Sequence, residues 1–308
     1  MTRTLARLEI GVVLPSLTVQ HEQRLDFASA AQHAEGVGLD LVAYGDQGDQ
    51  LVGAGPSVEM AVALAAVAAV TQRVRICSAG YVPGIRPLAW AARQIASLRH
   101  VVGDRLVLGI GTGGGAAQWA AAGVPYAERD VRTDTALALL PRLLAGERVR
   151  LPDEPGGLDL ELTPTVPQPP VWVGGDSPAA IRRAIRYGDG WFPSLVTPDE
   201  VANGVVQLAE RAVWRGRPAP TVAVGATGVL GAAPGLPGRA EIAARMAVAY
   251  GMPVERLASV PVTGGPREAA EQLHPYWGAG ARHIVMGFAD GDWRAQVDAL
   301  AEVRELLA

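Results

Sequence analysis

Residues 106–115 read LVLGIGTGGG, a short apolar run that ends in a series of glycines. A continuous apolar run of this length is typical of a strand that is buried on both faces. Gly109, Gly111 and Gly114 have the spacing G-x-G-x-x-G, in which a backbone free of side chains turns tightly and can approach a phosphate. The stretch is a dinucleotide fingerprint, another kind of phosphate site or only a tight turn, and its place in the chain decides among these.

Seven other apolar runs of the same kind occur along the chain, each bounded by glycine or another turn residue. They are residues 9–15, 39–45, 73–81, 169–175, 189–195, 221–230 and 282–288. Helical patterns, with apolar residues at three- and four-residue spacing, lie at 22–36, 57–71, 86–101, 128–145, 177–187, 198–214, 240–250, 266–279 and 293–307. This repeated strand–helix order predicts a closed (β/α)8 barrel, a TIM barrel, that occupies residues 1–308 as one domain. A doubly wound open sheet is the alternative, but so many units exceed what one such sheet usually holds.

The composition excludes several classes of protein. The chain has 308 residues, 49% of them hydrophobic, and a formal net charge of −4. No segment reaches the ~18 apolar residues of a membrane span, and no signal-peptide pattern opens the chain, so we expect a cytoplasmic protein. All 27 basic residues are arginines and none form a basic block, which argues against a nucleic-acid partner. The single cysteine, Cys77, excludes an intrachain disulfide and a multi-cysteine metal site, and no metal is expected.

The order of the strands answers part of the opening question. A nicotinamide fingerprint belongs on the first strand–helix turn, with an acidic residue at the end of the next strand, whereas this glycine run follows the fourth strand. A second glycine turn, VWVGGDSPAA at 171–180, follows the fifth strand and offers Asp176 or Ser177 as a helix N-cap before Pro178. Free N–H groups at a helix N-terminus hold phosphate well. One such turn is best explained as a simple change of direction, but two on adjacent strands predict an anionic cofactor.

Four stretches together resemble a known family. They are IGVVLP (10–15), LDLVAYGD (39–46), residues 73–114 ending in SLRHVVGDRLVLGIGTGG, and PPVWVGGDSPAAIRRAIRYGDGWF (169–192). They are similar to the bacterial luciferase-like monooxygenase family, and in particular to its branch of deazaflavin (coenzyme F420)-dependent oxidoreductases. The resemblance covers most of residues 8–195. It implies a (β/α)8 barrel that binds a reduced flavin or deazaflavin at the carboxyl ends of its strands.

The resemblance also implies which residues contact the cofactor. Asp46 would meet the ring system at the end of the second strand, and a non-prolyl cis peptide at Ala79–Gly80 would support the ring from behind. Thr112 and Gly113 would contact the cofactor after the fourth strand, with Gln118 close by. The phosphate cradle would be formed by Gly175, Asp176, Ser177, Ala179 and Ala180.

Departures from the family pattern limit the reactions that the chain is expected to catalyse. The related sugar-phosphate dehydrogenases carry a histidine and a glutamate for proton transfer where this chain has Gln47 and Gly114, so oxidation by that acid–base pair is not expected. Gln47 remains the one candidate catalytic residue, as a hydrogen-bonding partner of the ring or substrate. FMN-binding relatives place an arginine near the Thr112 position, and the threonine favours F420. The arginines of the third predicted helix, Arg86, Arg93 and Arg99, are expected on a solvated face.

These residues leave three functional hypotheses. The first is F420-dependent hydride transfer to or from an imine, enone or similar small organic substrate. The alternative is an FMNH2-dependent monooxygenase supplied by a separate flavin reductase, and the third is a non-catalytic member of the family. The run MAVALAAVAAV at 60–70 is apolar around most of a helix, which predicts a homodimer with this helix at the interface.

Overall fold

A closed barrel of parallel strands forms the centre of the molecule, in a computed structural model that describes residues 7–46, 56–151 and 157–308. The strands are β1 (Glu9–Val13), β2 (Leu41–Tyr44), β3 (Arg75–Ser78), β4 (Leu106–Ile110), β5 (Val149–Arg150), β6 (Asp159–Leu160), β7 (Val171–Gly174), β8 (Gly190–Phe192), β9 (Thr221–Leu230), β10 (Val262–Gly264) and β11 (His283–Phe288). The barrel order is β1-β2-β3-β4-β7-β8-β9-β11, and β11 pairs with β1 to close it. The (β/α)8 architecture predicted from the sequence is confirmed, because each of these barrel strands lies within one of the predicted apolar runs.

Helices follow the strands and cover the outside of the barrel. They are α1 (Leu17–Gln23), α2 (Phe27–Gly36), α3 (Met60–Val70), α4 (Leu88–Val102), α5 (Ala116–Ala121), α6 (Arg129–Leu144), α7 (Pro178–Tyr187), α8 (Pro198–Trp214), α9 (Arg239–Tyr250), α10 (Val254–Leu257), α11 (Pro266–Gly278) and α12 (Trp293–Leu306). The predicted helix at 22–36 is divided in two, because Asp26 caps the second part with its side chain and Arg24 ends the first in a left-handed conformation. No helix in the described ranges is long and apolar enough to cross a membrane.

The barrel strands are buried on both faces, as their continuous apolar character requires. The larger core lies between strands and helices and includes Ile10, Leu64 and Ile95. A smaller cluster fills the barrel interior and includes Trp172 and Cys77. Burial raises the pKa of the Cys77 thiol to about 12, so the thiol is neutral and acts as a small apolar side chain.

Charged residues close the amino-terminal end of the barrel. Glu9 accepts a hydrogen bond from Arg75 at 3.0 Å and lies 2.9 Å from Nδ1 of His283. The guanidinium of Arg75 lies 5.5 Å from the ring centroid of Trp172, and the His283 ring is 4.7 Å from the same indole. The hydrogen bond with His283, together with the charge of Arg75, holds the pKa of Glu9 below its usual value. This end of the barrel is therefore sealed by side chains, and a ligand site belongs at the opposite, carboxyl end of the strands.

The seventh strand–helix unit carries an insertion that contains β10, a strand that the sequence pattern did not predict. β9 is ten residues long, and its last three residues pair with β10; only the first of them, Gly228, also pairs with the barrel strand β11. A Cβ atom on Gly228 would lie 1.8 Å from the carbonyl oxygen of Val262, so the branch requires glycine at this position. The pairing of β9 with β10 extends the sheet beyond the carboxyl end of the barrel on one side. Helices α9 and α10 belong to the same insertion.

Candidate functional site

The chain bulges where β3 ends. Cys77 pairs with Val107, but Tyr81 pairs with Ile110, so β3 holds one residue more than β4 between these two pairs. Gly80 lies in this bulge at φ +85°, a conformation that glycine adopts without strain. The buried Ser78 hydroxyl stabilises the bulge by accepting a hydrogen bond from the N–H of Gly109 at 3.1 Å.

The prediction of a cis peptide bond between Ala79 and Gly80 is wrong. Within the described ranges, the cis peptide bonds are limited to Thr163–Pro164. The bulge and the positive φ of Gly80 provide the change of direction that a cis bond would otherwise supply. Ala79 and Gly80 still lie at the carboxyl end of β3, where the resemblance assigned them to the cofactor.

The glycine run after β4 is stabilised by the first residues of α5. The amide oxygen of Gln118 accepts a hydrogen bond from the N–H of Gly114 at 2.8 Å, and the indole of Trp119 donates to the carbonyl of Thr112 at 3.1 Å. Gly113 has φ +82°, and a Cβ there would lie 2.6 Å from Gln118 Oε1. Gln118 and Trp119 are completely buried, so this turn has a single defined shape.

The amide nitrogen of Gln118 has no protein partner in the described part of the chain. A buried amide nitrogen normally donates a hydrogen bond, because an unsatisfied donor costs about 1–3 kcal/mol. This orphaned donor lies directly beneath the glycine turn and is a position at which a bound ligand or water would be favoured.

The two glycine turns meet, because β4 and β7 are neighbours in the barrel. A Cβ on Gly174 would lie 3.3 Å from the carbonyl oxygen of Ile110 and 3.9 Å from Cα of Gly111. Gly111 in turn lies beside Gly80, where a Cβ would be 3.6 Å from the neighbouring Cα. The three consecutive barrel strands β3, β4 and β7 therefore end in backbone with almost no side chains. This leaves an open shelf at the carboxyl end of the barrel, which we call the mouth.

The turn after β7 leads directly into α7. Gly175 adopts φ +101°, and its carbonyl accepts a hydrogen bond from the indole of Trp191 at 2.8 Å. Ser177 is the N-cap, and its Oγ accepts from the N–H of Ala180 at 3.2 Å. The N–H of Ala180 is thus already used, whereas the N–H groups of Ser177 and Ala179 donate to no acceptor in the described ranges. Residues 175–178 are exposed and Ala179 is half-buried, so the two free donors lie near the surface at the positive end of the helix dipole.

An arginine from the insertion meets this turn. Arg256 on α10 donates to Oδ2 of Asp176 at 2.6 Å and lies 3.5 Å from Glu200 at the start of α8. The Asp176 carboxylate is therefore engaged by Arg256, and only the backbone of Asp176 stays available to a ligand at this turn. Arg256 balances a negative charge that would otherwise repel an anion at the turn. The sequence offered no signal for this contact, because the two residues are far apart in the chain and α10 is a single turn of helix.

Asp46 forms a second ion pair at the mouth. Both terminal nitrogens of Arg86 donate to it, at 2.6 and 3.0 Å, and the N–H of Val82 donates at 3.3 Å. The Arg86 guanidinium lies 4.9 Å from the ring centroid of Tyr81, which donates from its hydroxyl to Gln94 at 2.8 Å. The ion pair raises the pKa of Arg86 against the opposing effect of burial. Asp46 thus connects the end of β2 to the bulge that follows β3.

The expectation that three arginines occupy a solvated face is correct for one of them. Arg93 is exposed. Arg86 precedes α4 and is bound to Asp46, so its solvated placement is wrong. Arg99 is 8% exposed and donates to the carbonyls of Pro167 and Gly103, so its placement is wrong as well. The carbonyl of Gly103 at the end of α4, the carbonyl of Pro167 and the carboxylate of Asp104 together satisfy this cation. Gln47, the candidate catalytic residue, lies outside the described residues.

A pocket of about 380 Å³ lies on the other side of the mouth from the glycine turns. The ends of β1, β2 and β11 form it, and Tyr44, Phe288, Gln23 and Trp293 are among its lining residues. β1 and β7 are four strands apart in the barrel, so this pocket and the turn before α7 lie on opposite sides of the barrel axis. The described ranges contain no cluster of histidine, cysteine and carboxylate side chains suited to a metal ion.

Comparison with known proteins identifies the class that this fold and mouth define. The family model described as luciferase-like monooxygenase matches residues 9–302. The chain belongs to this family, as the resemblance implied.

An uncharacterised protein of Mycobacterium tuberculosis is 34% identical to the chain over 167 residues, which are 54% of this chain and 58% of that protein. The match therefore spans little more than half the length of this relative.

Two solved structures share the whole architecture. An F420-dependent secondary alcohol dehydrogenase in complex with an F420-acetone adduct superimposes with a TM-score of 0.78 at 17% identity, covering 98% of this chain and 99% of that one. The oxygenating constituent of 3,6-diketocamphane monooxygenase from Pseudomonas putida, in complex with FMN, gives a TM-score of 0.74 at 17% identity, with 98% of each chain covered. At this level of identity the likeness shows the fold and leaves the cofactor of this chain undecided between the two.

Proposed function

We propose that this protein is a coenzyme F420-dependent oxidoreductase of the luciferase-like family, which transfers a hydride to or from an imine, an enone or a similar small organic substrate. The observation that carries the proposal is the contact between two glycine turns on adjacent strands, one of which opens directly into the free N–H groups of α7. The proposal includes one barrel domain over the chain and a cytoplasmic location.

The residues of the mouth suit a phosphate-bearing cofactor of this type. Gly175 is exposed and carries no side chain, and the N–H groups of Ser177 and Ala179 are free to hold the phosphate. Thr112, Gly113 and Gly80 border the shelf on which a flat ring would lie, and the amide of Gln118 lies beneath it. Asp46, held by Arg86, stands at the far edge of this shelf.

The cofactor would supply the hydride chemistry, and the protein would orient and enclose the reactants. Tyr81, at the edge of the shelf, has its pKa raised by burial, and its hydroxyl is engaged in the hydrogen bond that it donates to Gln94. Asp46 is bound to Arg86 in an ion pair. The proposal therefore assigns binding and positioning to these side chains rather than general acid–base catalysis.

The substrate would occupy the pocket formed by the ends of β1, β2 and β11. Because the phosphate turn lies on the opposite side of the barrel axis, a cofactor bound there would extend its ring across the mouth toward this pocket. Tyr44 and Phe288 give the pocket an aromatic side, while Glu22 and Asp290 are polar groups of its lining. This arrangement favours a small substrate with an apolar body and one polar function.

A titration of the purified protein with F420 and with FMN, followed by absorbance or fluorescence, tests the proposal. F420 is expected to bind at least tenfold more tightly than FMN. Tight binding of FMN alone would overturn the F420 assignment and favour the monooxygenase alternative, with a separate flavin reductase as partner. Binding of neither would favour a non-catalytic member of the family.

The Arg256–Asp176 pair gives a prediction about the phosphate turn. Arg256→Ala leaves the Asp176 carboxylate unbalanced beside the bound phosphate, which costs ~1 kcal/mol at an exposed site and raises the dissociation constant of F420 about fivefold. Asp176→Asn alone is expected to bind as the parent does or better. The double variant is expected to recover most of the loss, and a double variant as weak as Arg256→Ala would contradict the charge-balancing role.

A groove between α3 and α4 supports the homodimer proposal. The groove has a volume of about 570 Å³, and Trp90 beside it is 68% exposed, Val62 63% and Val101 53%. A second copy of the chain would cover these apolar side chains. Light scattering is expected to give about twice the 32.1 kDa of one chain, and Trp90→Glu is expected to shift the mass toward one chain. A particle of single-chain mass at micromolar concentration would contradict the dimer.

A further inference from the structure

A hollow lined by arginines lies on the outer surface between α6, α7 and α8. Its volume is about 450 Å³, and five arginines line it, namely Arg182, Arg183, Arg186, Arg211 and Arg215. We call it the arginine hollow. A chain with a net charge of −4 concentrates positive charge at this place.

One of the five arginines is neutralised and the others are not. Arg183 is nearly buried and binds Asp134 at 2.8 Å and Asp130 at 2.7 Å, which fixes α7 against α6. The remaining four arginines form no ion pair with any described residue. Arg186 lies 4.9 Å from the ring centroid of Tyr187, which limits the freedom of its side chain. The hollow therefore presents four arginines without an ion-pair partner among the described residues, and only Arg182 of them interacts at longer range with the charge of Asp130.

The arginine hollow begins at the phosphate turn. Ala179, whose free N–H belongs to the proposed cradle, also lines the hollow. Arg182 and Arg186 follow at one-turn intervals along α7, away from the mouth, and both are exposed. From Ser177 to Arg186 the helix rises about 14 Å. A strongly positive path therefore leads from the cradle along the outside of the barrel.

We propose that the arginine hollow binds the oligoglutamate tail of F420. In that cofactor the glutamates are attached on the far side of the phosphate from the ring, so a phosphate at Ser177 would direct them toward Arg182. Each glutamate carries a carboxylate, which is the group that a guanidinium binds best. About four extended residues span the distance to Arg186. FMN ends at its phosphate and would leave the hollow unused.

This inference rests on the proposed function, and its test separates the two. The dissociation constants of tail-free F420 and of F420 with a long glutamate tail are measured by fluorescence quenching at low ionic strength. The long-tailed form is expected to bind at least tenfold more tightly. The difference is expected to shrink as salt is added, because the contacts lie at the surface.

Substitution of the arginines tests the site itself. The double variant Arg182→Gln with Arg186→Gln is expected to reduce the difference between the two forms to less than threefold while leaving the affinity for the tail-free form unchanged. Arg294→Gln, an exposed arginine on α12, is the matched control and is expected to keep the full difference.

Equal affinity of the parent protein for both forms would overturn this inference and leave the F420 assignment intact. An undiminished preference for the tail in the double variant would also overturn it. Failure of the parent protein to bind either form would reject the F420 assignment and the inference together.

Discussion

Ser177→Glu is expected to raise the dissociation constant of the phosphate-bearing cofactor about a hundredfold or more. The glutamate places a carboxylate where the phosphate is to bind, and it removes the hydroxyl that fixes the N–H of Ala180. Loss of two charge-assisted contacts at ~1.5–3 kcal/mol each accounts for an effect of this size. The measurement is a titration with F420 and with FMN, each followed by fluorescence.

Ser177→Thr is the matched control, because threonine keeps the capping hydroxyl and adds no charge. Its affinity is expected to stay within a few fold of the parent. The glutamate variant is expected to remain folded, since a lost N-cap costs only about 0.5–2 kcal/mol, and circular dichroism checks this. An unchanged affinity in the folded glutamate variant would remove the phosphate cradle from the turn before α7.

The glycines between residues 109 and 115 are expected to include two positions that tolerate no side chain and one that does. In Gly109→Ala the new Cβ would lie 2.4 Å from the backbone oxygen of Ser78, and overpacking of this kind costs about 1–3 kcal/mol of the free energy of unfolding. In Gly113→Ala the residue keeps a φ of +82°, and its Cβ displaces the amide of Gln118 from Gly114. Strain of ~1–2 kcal/mol adds to the lost hydrogen bond. Gly115→Ala has open space and is the control.

Urea unfolding checks the stability of these variants, and cofactor titration checks the turn. Gly115→Ala is expected to match the parent in both measurements. Gly113→Ala is expected to weaken cofactor binding as well as stability, because the turn borders the proposed ring shelf. If all three variants unfolded at the same urea concentration, the close approaches between β3, β4 and α5 would have no energetic consequence.

The barrel was predictable because its strands are strongly patterned. The run at 106–111 and its counterparts are continuous, apolar and bounded by glycine, which distinguishes them from the helices between them. β10 was not predictable, because Val262–Gly264 is only three residues long and depends on pairing with Gly228 across the branch. The hairpin of β5 and β6 has two residues per strand and carries no periodicity at all.

The candidate site was predictable where the backbone forms it. Local features can be predicted from the sequence directly, and these include the glycines after β4 and β7 and the N-cap at Ser177. The ion pairs of Asp46 with Arg86 and of Asp176 with Arg256 depend on tertiary placement, and the residues alone suggested caps or solvated faces. The bulge at Gly80 replaced an expected cis peptide, because the register between two strands appears only once they are paired.

The closure of the barrel by β1 and β11 has a consequence for how the protein is made. Glu9 pairs with His283, so strands about 270 residues apart along the chain must find each other. During translation β1 leaves the ribosome first and keeps one bare edge until the last strand emerges. Such distant pairing is intrinsically slow, and a bare edge can pair with another nascent chain. The interval between the synthesis of β1 and that of β11 is therefore the period in which aggregation competes with folding, and slower synthesis lengthens it.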